Sequence, residues 1–314
     1  VQYRLMMAWA RIRRAALAAS AAIAAVAFGA RAGSADETTG SIVVGGVTRT
    51  YVVNVPVKLG RSVPLVFSFH GHYGTGASQT RLTGLSALSE SYGFIVVYPD
   101  GLNRAWNDGR AVSAGSDDIG LVKALIADFS RRYPIDPKRV YVNGFSNGAT
   151  FAHYAGCMLA NQIAAIAAVS GSMPTEDAGT CRPSRPLSVL EIAGTADPIM
   201  PFAGGPITLL GMSRSTVLSA EQTVSMWAGV DKCAAPSPAA SLAPVPPADG
   251  TSVTRLTYGR CAAGTNVVLY TVTGGGHAWP GGPQYSLRSI IGIASQQLDA
   301  SQTIVDFFLT HPMR

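Results

Sequence analysis

Residues 140–150 read VYVNGFSNGAT. Val140–Val142 is a short strand-forming run, and Phe151–Ala160 just downstream has helical spacing. Between them lies Gly144-Phe145-Ser146-Asn147-Gly148, a G-x-S-x-G at a strand-to-helix turn. Such a turn is so tight that a Cβ two residues on either side of the serine would clash, which is why glycine occupies both places. The serine then stands proud of the strand end. Ser146 is therefore the candidate nucleophile.

The chain around this turn alternates strands and helices. Ser41–Pro56 reads as two strands about Gly45-Gly46, a hairpin signal. Pro64–Phe69, Phe94–Tyr98, Ala164–Val169 and Leu187–Ala193 are short apolar runs, as expected of strands buried on both faces. Val253–Tyr258 and Val267–Val272 are strand-like as well. Asp117–Tyr133, Ala220–Val230 and Ser295–Leu309 carry apolar residues at helical spacing. The alternation predicts an α/β fold: a mostly parallel central sheet with helices on both faces. No linker divides residues 33–314, so a single catalytic domain is expected there.

A serine hydroxyl needs a base, and the base needs an orienting carboxylate. In this architecture the chain order is Ser, then Asp or Glu, then His. Three histidines follow Ser146. His153 lies two helical turns on, where packing is the simpler role, and His311 sits at the C-terminal end. His277, in GGGHAWP, occupies a glycine-rich loop between a strand and the last helix, and is the expected base. Among the acids between Ser146 and His277, Asp197 alone lies just beyond a buried strand's C-terminal end, where open α/β sheets place their sites. Glu191 falls inside that strand, and a buried carboxylate there needs a partner. It is read as half of a structural pair.

Acyl transfer also needs donors for the developing oxyanion. One is expected to be the backbone N–H of Asn147. The other should come from the loop His70-Gly71-His72-Tyr73-Gly74, with the His72 N–H the first choice and Tyr73 the second. Tyr73, Trp106, Phe202 and Trp279 are the aromatic candidates for lining a substrate pocket. No phosphate loop, dinucleotide fingerprint or metal-ligand spacing is present, so no cofactor and no metal is expected.

Composition sets the outer limits. The 314 residues are 47% hydrophobic and 13% charged, against about 25% charged in a typical globular chain. Disorder is thereby excluded. The formal charge of +6 is local: residues 1–32 hold five arginines and no acid, and the remainder carries 19 basic residues against 18 acidic. A body so nearly neutral exerts no global pull on nucleic acid or anionic lipid. Residues 1–32 read as a signal peptide, with Arg11, Arg13 and Arg14, the apolar run Ala15–Ala30 and an Ala30-Arg31-Ala32 cleavage pattern. The run is 16 residues long, short for a bilayer span of about 20. A secreted or periplasmic protein is expected, free of the membrane after cleavage, and a monomer. Four cysteines agree with an oxidising compartment. Of the three possible pairings, the sequence-local Cys157–Cys181 and Cys233–Cys261 is favoured. The second bridge would staple the Ala/Pro-rich loop Ala234–Gly250.

The segments GFSNGA, GTADPIMPF and GGGHAWPGG, with His70-Gly71, SDDIGLVKALI at Ser116–Ile126 and the Cys233/Cys261 pair, resemble the secreted α/β-hydrolase esterases of the polyhydroxybutyrate depolymerase and feruloyl/acetylxylan esterase type. The resemblance runs from about Thr48 to the C-terminus. It implies the α/β-hydrolase fold and a catalytic triad of Ser146, Asp197 and His277. The chain departs from that group where it has His72 in place of a frequent cysteine and Ala193 in place of a frequent histidine. The expected activity is hydrolysis of short-chain or aromatic carboxylic esters, such as plant-wall feruloyl or acetyl esters. Polyhydroxybutyrate or related polyester oligomers are the alternative substrate. A non-catalytic hydrolase-fold binding protein is the rival of another class, and an intact triad argues against it.

Overall fold

The computed structural model describes residues 37–113, 115–209 and 212–314. The expected signal segment 1–32 lies outside the described residues. Twelve strands are described: β1 (Thr38–Val44), β2 (Val47–Asn54), β3 (Val63–Phe69), β4 (Ile95–Pro99), β5 (Ile135–Phe145), β6 (Ala165–Val169), β7 (Ser188–Gly194), β8 (Gly205–Leu209), β9 (Met212–Val217), β10 (Ala240–Ser241), β11 (Ser252–Tyr258) and β12 (Val267–Thr273). Ten form one sheet in the order β1-β2-β4-β3-β5-β6-β7-β12-β11-β10, and β8 and β9 form a separate hairpin.

The centre of the sheet, β4-β3-β5-β6-β7-β12, is parallel. Its flanks are antiparallel: β2 against β4 on one side, β11 against β12 on the other. The difference is visible in the side chains. Every residue of β3, β6 and β7 is buried, whereas edge strand β1 alternates exposed with half-buried positions. The turn into β2 places Gly45 and Gly46 at φ 56° and 80°, the left-handed geometry of a tight hairpin.

Helices cover both faces. On one side lie α3 (Asp118–Arg132), α4 (Asn147–Leu159) and α5 (Ala220–Val230), packed on Leu65, Phe67, Phe69, Val142 and Val189. On the other lie α2 (Leu85–Tyr92) and α6 (Ala300–Thr310), packed on Val66, Val96, Tyr141, Ala167 and Leu190. Leu65, Val66 and Phe67 thus alternate between two cores. Asp117 caps α3 by accepting from the Gly120 N–H at 2.7 Å, and the helix stops at Tyr133, before Pro134.

The last helix is shorter than its periodicity predicts. It begins at Ala300 and not near Ser295, with the Asp299 carboxylate accepting from the Gln302 N–H as cap. The preceding residues are held in a loop by other partners. The Ser295 and Thr251 hydroxyls meet at 2.6 Å, and the Gln297 side chain exchanges bonds with both backbone groups of Val245. Periodicity does not register such loop bonds. The β8–β9 hairpin and the helices α1 (Gly76–Thr83) and α2 add elements that the sequence pattern left unassigned.

Both expected disulfides form. Cys157 and Cys181 join α4 to the segment before β7, with Cα atoms 5.2 Å apart. Cys233 and Cys261 close a loop that contains β10 and β11. Thiol titration of the denatured, unreduced protein is expected to find no free thiol. Removing the Cys233–Cys261 bridge by paired alanine substitution should destabilise the fold by about 3–4 kcal/mol in the chain-entropy view, read from denaturant midpoints. Unchanged midpoints would show that Gln297 and the loop's other bonds hold residues 234–250 without it.

Candidate active site

The parallel register sets the ends of β5, β7 and β12 on one edge of the sheet. Phe145 pairs with Val169, Val169 with Ile192, and Val272 with Gly194. The segments leaving those three ends carry Ser146, Asp197 and His277.

Ser146 stands between β5 and α4 at φ 55°, ψ −119°, a backbone conformation that non-glycine residues rarely adopt. Neighbouring backbone enforces it. A Cβ on Gly144 would overlap the carbonyl of Gly148, and one on Gly148 would overlap the carbonyl of Phe69. The turn is also bonded across the sheet, from the Ser146 N–H to the Val169 carbonyl at 2.9 Å.

The three side chains meet. His277 Nε2 lies 2.9 Å from Ser146 Oγ, and His277 Nδ1 lies 2.8 Å from Asp197 Oδ2. The other carboxylate oxygen of Asp197 accepts from the Ile199 and Met200 N–H groups, each at 2.8 Å. A carboxylate so held is an acceptor toward the ring, so Nδ1 carries the proton and Nε2 presents its lone pair to the serine hydroxyl. The imidazole is fixed further through its backbone: the His277 N–H donates to the Ile291 carbonyl at 2.6 Å, and the Tyr285 hydroxyl to the His277 carbonyl at 2.9 Å.

Asn147 begins α4, His72 lies in the loop after β3, and both line one cavity. The Gly71 carbonyl is anchored twice, by the Gly74 N–H at 2.9 Å and by His70 Nδ1 at 2.8 Å. A trans peptide directs its carbonyl and its N–H oppositely, so the His72 N–H faces away from that anchored carbonyl. The same peptide abuts Ser146: a Cβ on Gly71 would stand 3.2 Å from the Ser146 Cβ. The second-choice donor, the Tyr73 N–H, is bonded to the Arg104 carbonyl at 2.8 Å.

A cavity of about 580 Å³ opens over Ser146 and His277. Of the aromatic candidates, Tyr73 and Trp106 line it. Phe202 and Trp279 do not, and this corrects their expected place. Phe202 is half-buried and packs against the core on the α3–α4–α5 side of the sheet. Trp279 is 1% exposed, with its indole N–H bonded to Ser301 Oγ at 2.9 Å. The chain turns between His277 and Trp279, so the second residue faces α6 and not the cavity. Apolar wall residues that the sequence did not single out come from the segment after β7 and from β8: Ile199, Met200, Ile207 and Leu209. Arg110 also lines the cavity. The only sequence signal for it is the polar run Asn107-Asp108-Gly109-Arg110 directly after Trp106.

Glu191 has a partner, as its burial requires. Its Oε2 lies 3.0 Å from His153 Nε2, and both side chains are fully buried. The Trp227 indole N–H donates to His153 Nδ1 at 3.1 Å, so the ring is neutral and gives its one N–H to Glu191. Burial pushes the Glu191 carboxyl above its ordinary range, against the hydrogen bond from His153.

Among the described residues, no cluster of three or more His, Cys, Asp or Glu could hold a metal ion. No helix among them is long and apolar enough to cross a membrane.

Comparison with known proteins agrees with the geometry. Residues 111–213 match the Phospholipase/Carboxylesterase family, a span that includes Ser146 and Asp197. NocK of Nocardia uniformis subsp. tsuyamanensis, an esterase by name, is 30% identical over 293 residues, covering 88% of this chain and 84% of its own. The chain belongs to the α/β-hydrolase esterases. Feruloyl esterase B of Piromyces equi is also similar to this esterase, 30% identical over 224 residues. The match covers 69% of this chain but 40% of that larger protein. Among solved structures, an acetyl xylan esterase from Aspergillus awamori superposes with a TM-score of 0.59 over 86% of this chain and 98% of its own. At 16% identity, that likeness speaks for the fold.

Two carboxylates of this esterase are separable by substitution. Asp197→Asn is expected to keep the fold and cut turnover by up to ~10⁴, through the wrong imidazole tautomer. Glu191→Gln keeps an acceptor for His153 and should leave turnover nearly unchanged. Because the folded Glu191 carboxyl titrates above its unfolded value, its contribution to stability is present in acid and fades as pH rises through the folded value. The melting temperature of Glu191→Gln relative to wild type should therefore rise with pH from about 4 upward. A flat difference would show that Glu191 titrates normally.

Proposed function

We propose that the protein is an exported serine esterase acting through an acyl-enzyme. The observation that carries this reading is the Asp197–His277–Ser146 hydrogen-bond chain at the floor of a largely apolar cavity. Ser146 Oγ attacks the ester carbonyl while His277 Nε2 takes its proton. Asp197 stabilises the imidazolium that forms. The carbonyl oxygen becomes an oxyanion held by the N–H groups of Asn147 and His72. Collapse of the tetrahedral intermediate breaks the ester C–O bond, and His277 returns the proton to the leaving alcohol. Water, deprotonated by His277, then attacks the acyl carbon; the bond to Ser146 Oγ breaks, His277 returns the proton to that oxygen, and the carboxylic acid leaves. Residues 33–314 form the catalytic domain once 1–32 are removed, working outside the cytoplasm as a monomer.

The substrate class follows from the walls. An acetyl group fills a small part of about 580 Å³, and Tyr73, Ile199 and Leu209 offer apolar surface for an aromatic acyl group. Aromatic and short-chain carboxylic esters, feruloyl and acetyl esters of plant cell walls among them, fit best. The similarity to feruloyl esterase B supports this choice. One observation favours polyester oligomers as a second reading: Val112 and Ile290, both at the cavity, are 66% and 52% exposed. That apolar rim could carry the remainder of a longer chain.

Ser146→Ala should lose on the order of 10⁶ in turnover on p-nitrophenyl acetate while keeping the wild-type melting temperature. A folded variant with a tenth of the wild-type rate would remove Ser146 as nucleophile. Methyl ferulate should be turned over with a higher kcat/KM than hydroxybutyrate trimer. The reverse order would select the polyester reading.

A further inference from the structure

Asp108 is fully buried beside the first turn of α4, yet none of the chemistry above uses it. Its two carboxylate oxygens accept five hydrogen bonds. Arg110 gives two, from Nε at 2.9 Å and Nη2 at 2.5 Å. The Ser113 hydroxyl donates at 2.6 Å, the Thr150 hydroxyl at 2.5 Å and the Asn147 side-chain amide at 2.8 Å. These donors come from two places. Arg110 and Ser113 belong to the cavity wall, and Asn147 and Thr150 to the first turn of α4.

The Asn147 side chain is engaged at both ends. Its Oδ1 accepts from the Trp106 N–H at 2.8 Å, and its Nδ2 donates to the Trp106 carbonyl at 3.3 Å as well as to Asp108. The residue that follows the nucleophile is thus tied by its side chain to the loop carrying Trp106 and Asp108. An oxyanion donor works by being aimed before the charge appears, and a misplacement of about 0.5 Å is enough to weaken it.

We propose that Asp108 is a positioning residue of the oxyanion hole. It holds the Asn147 side chain, and through it the Asn147 N–H, where the oxyanion will form, and it locks that donor to the Arg110–Ser113 wall of the cavity. The inference rests on the reading of Asn147 as an oxyanion donor.

A carboxylate suits this place because all of its neighbours donate. Burial would raise its pKa, but the bonds and charge of Arg110, with the Ser113 and Thr150 hydroxyls, outweigh burial and hold it below the usual carboxylate range. Arg110 cancels the negative charge that would otherwise oppose an oxyanion nearby. An asparagine at 108 would turn two N–H groups toward donors, leave Arg110 without its counter-charge and loosen the Asn147 amide.

The test compares Asp108→Asn, Asn147→Ala and the double variant with wild type on p-nitrophenyl butyrate. It adds inhibition by a phenylboronic acid, which forms a tetrahedral adduct with the serine. Asp231→Asn is the control, since Asp231 is a fully buried carboxylate that accepts from the Leu187 N–H and the Thr265 hydroxyl, outside the cavity. Removing an oxyanion donor outright costs about 10²–10³, so misaiming one should lower kcat by about 10–100-fold, with KM within about threefold. Affinity for the boronic acid should fall by a similar factor. The losses should fail to multiply in the double variant, because both act through one side chain. Asp231→Asn should lower the melting temperature and keep kcat.

A folded Asp108→Asn with wild-type kcat, undiminished boronic acid affinity, or losses that multiply would each overturn the proposal. Should Asp108→Asn not fold, Asn147→Ala decides alone: it keeps the backbone N–H, and wild-type boronic acid affinity in it would defeat the idea. If Ser146→Ala is inactive while Asp108→Asn is fully active, the acyl-enzyme reading stands and only the positioning role is lost. Activity surviving in Ser146→Ala would remove the parent reading instead.

Discussion

Three stretches of backbone pass one another at Ser146 at distances that admit no side chain on Gly144 or Gly148. The end of β5 turns into α4 against the end of β3, and the serine at their crossing is held at positive φ. Strain of this kind costs of order 1–3 kcal/mol and persists only where surrounding structure over-determines it. Here the sheet bond to Val169, the carbonyls of Phe69 and His70 beneath Gly148, and the Asn147 amide on Trp106 supply that constraint.

Everything else at the site is arranged relative to that crossing. Parallel pairing across β5, β6, β7 and β12 brings two distant loops to the same edge, and each loop is braced on its own account. Asp197 is set by two backbone N–H groups, and His277 by the Ile291 carbonyl and the Tyr285 hydroxyl. The buried polar groups divide by what they face. Glu191, His153 and Trp227 are bonded in series inside the fold. Asp108, equally buried, gathers donors from the cavity wall and from the first turn of α4. Burial alone does not separate a packing carboxylate from one that serves the site; the identity of its donors does.

The aromatic residues show the same division. Trp106 and Trp279 are both 1% exposed, and each gives its indole N–H to a buried acceptor, the His70 carbonyl in one case and Ser301 in the other. Only Trp106 also forms cavity wall, because it lies on the loop that Asn147 holds beside Ser146. Residue type and loop position did not distinguish the two. The direction in which the chain leaves His277 did.

What the sequence determined by itself was whatever depends on near neighbours in the chain. The glycine spacing around Ser146, the apolar runs of β3, β4, β6 and β7 and the place of Asp197 beyond a buried strand are local chemistry, and each is written in a few consecutive residues. The same holds for the inference that Glu191 needs a partner. Only the tertiary structure decided who that partner is, that α6 starts at Ala300, that Phe202 and Trp279 turn from the cavity while Ile199, Met200 and Ile207 enter it, and that Asp108 meets Asn147. These depend on contacts between residues tens of positions apart, such as Gln297 with Val245 or Asp108 with Thr150. A hydrogen bond across such a distance leaves no period in the sequence, because either partner taken alone is an ordinary polar residue in a loop or a helix.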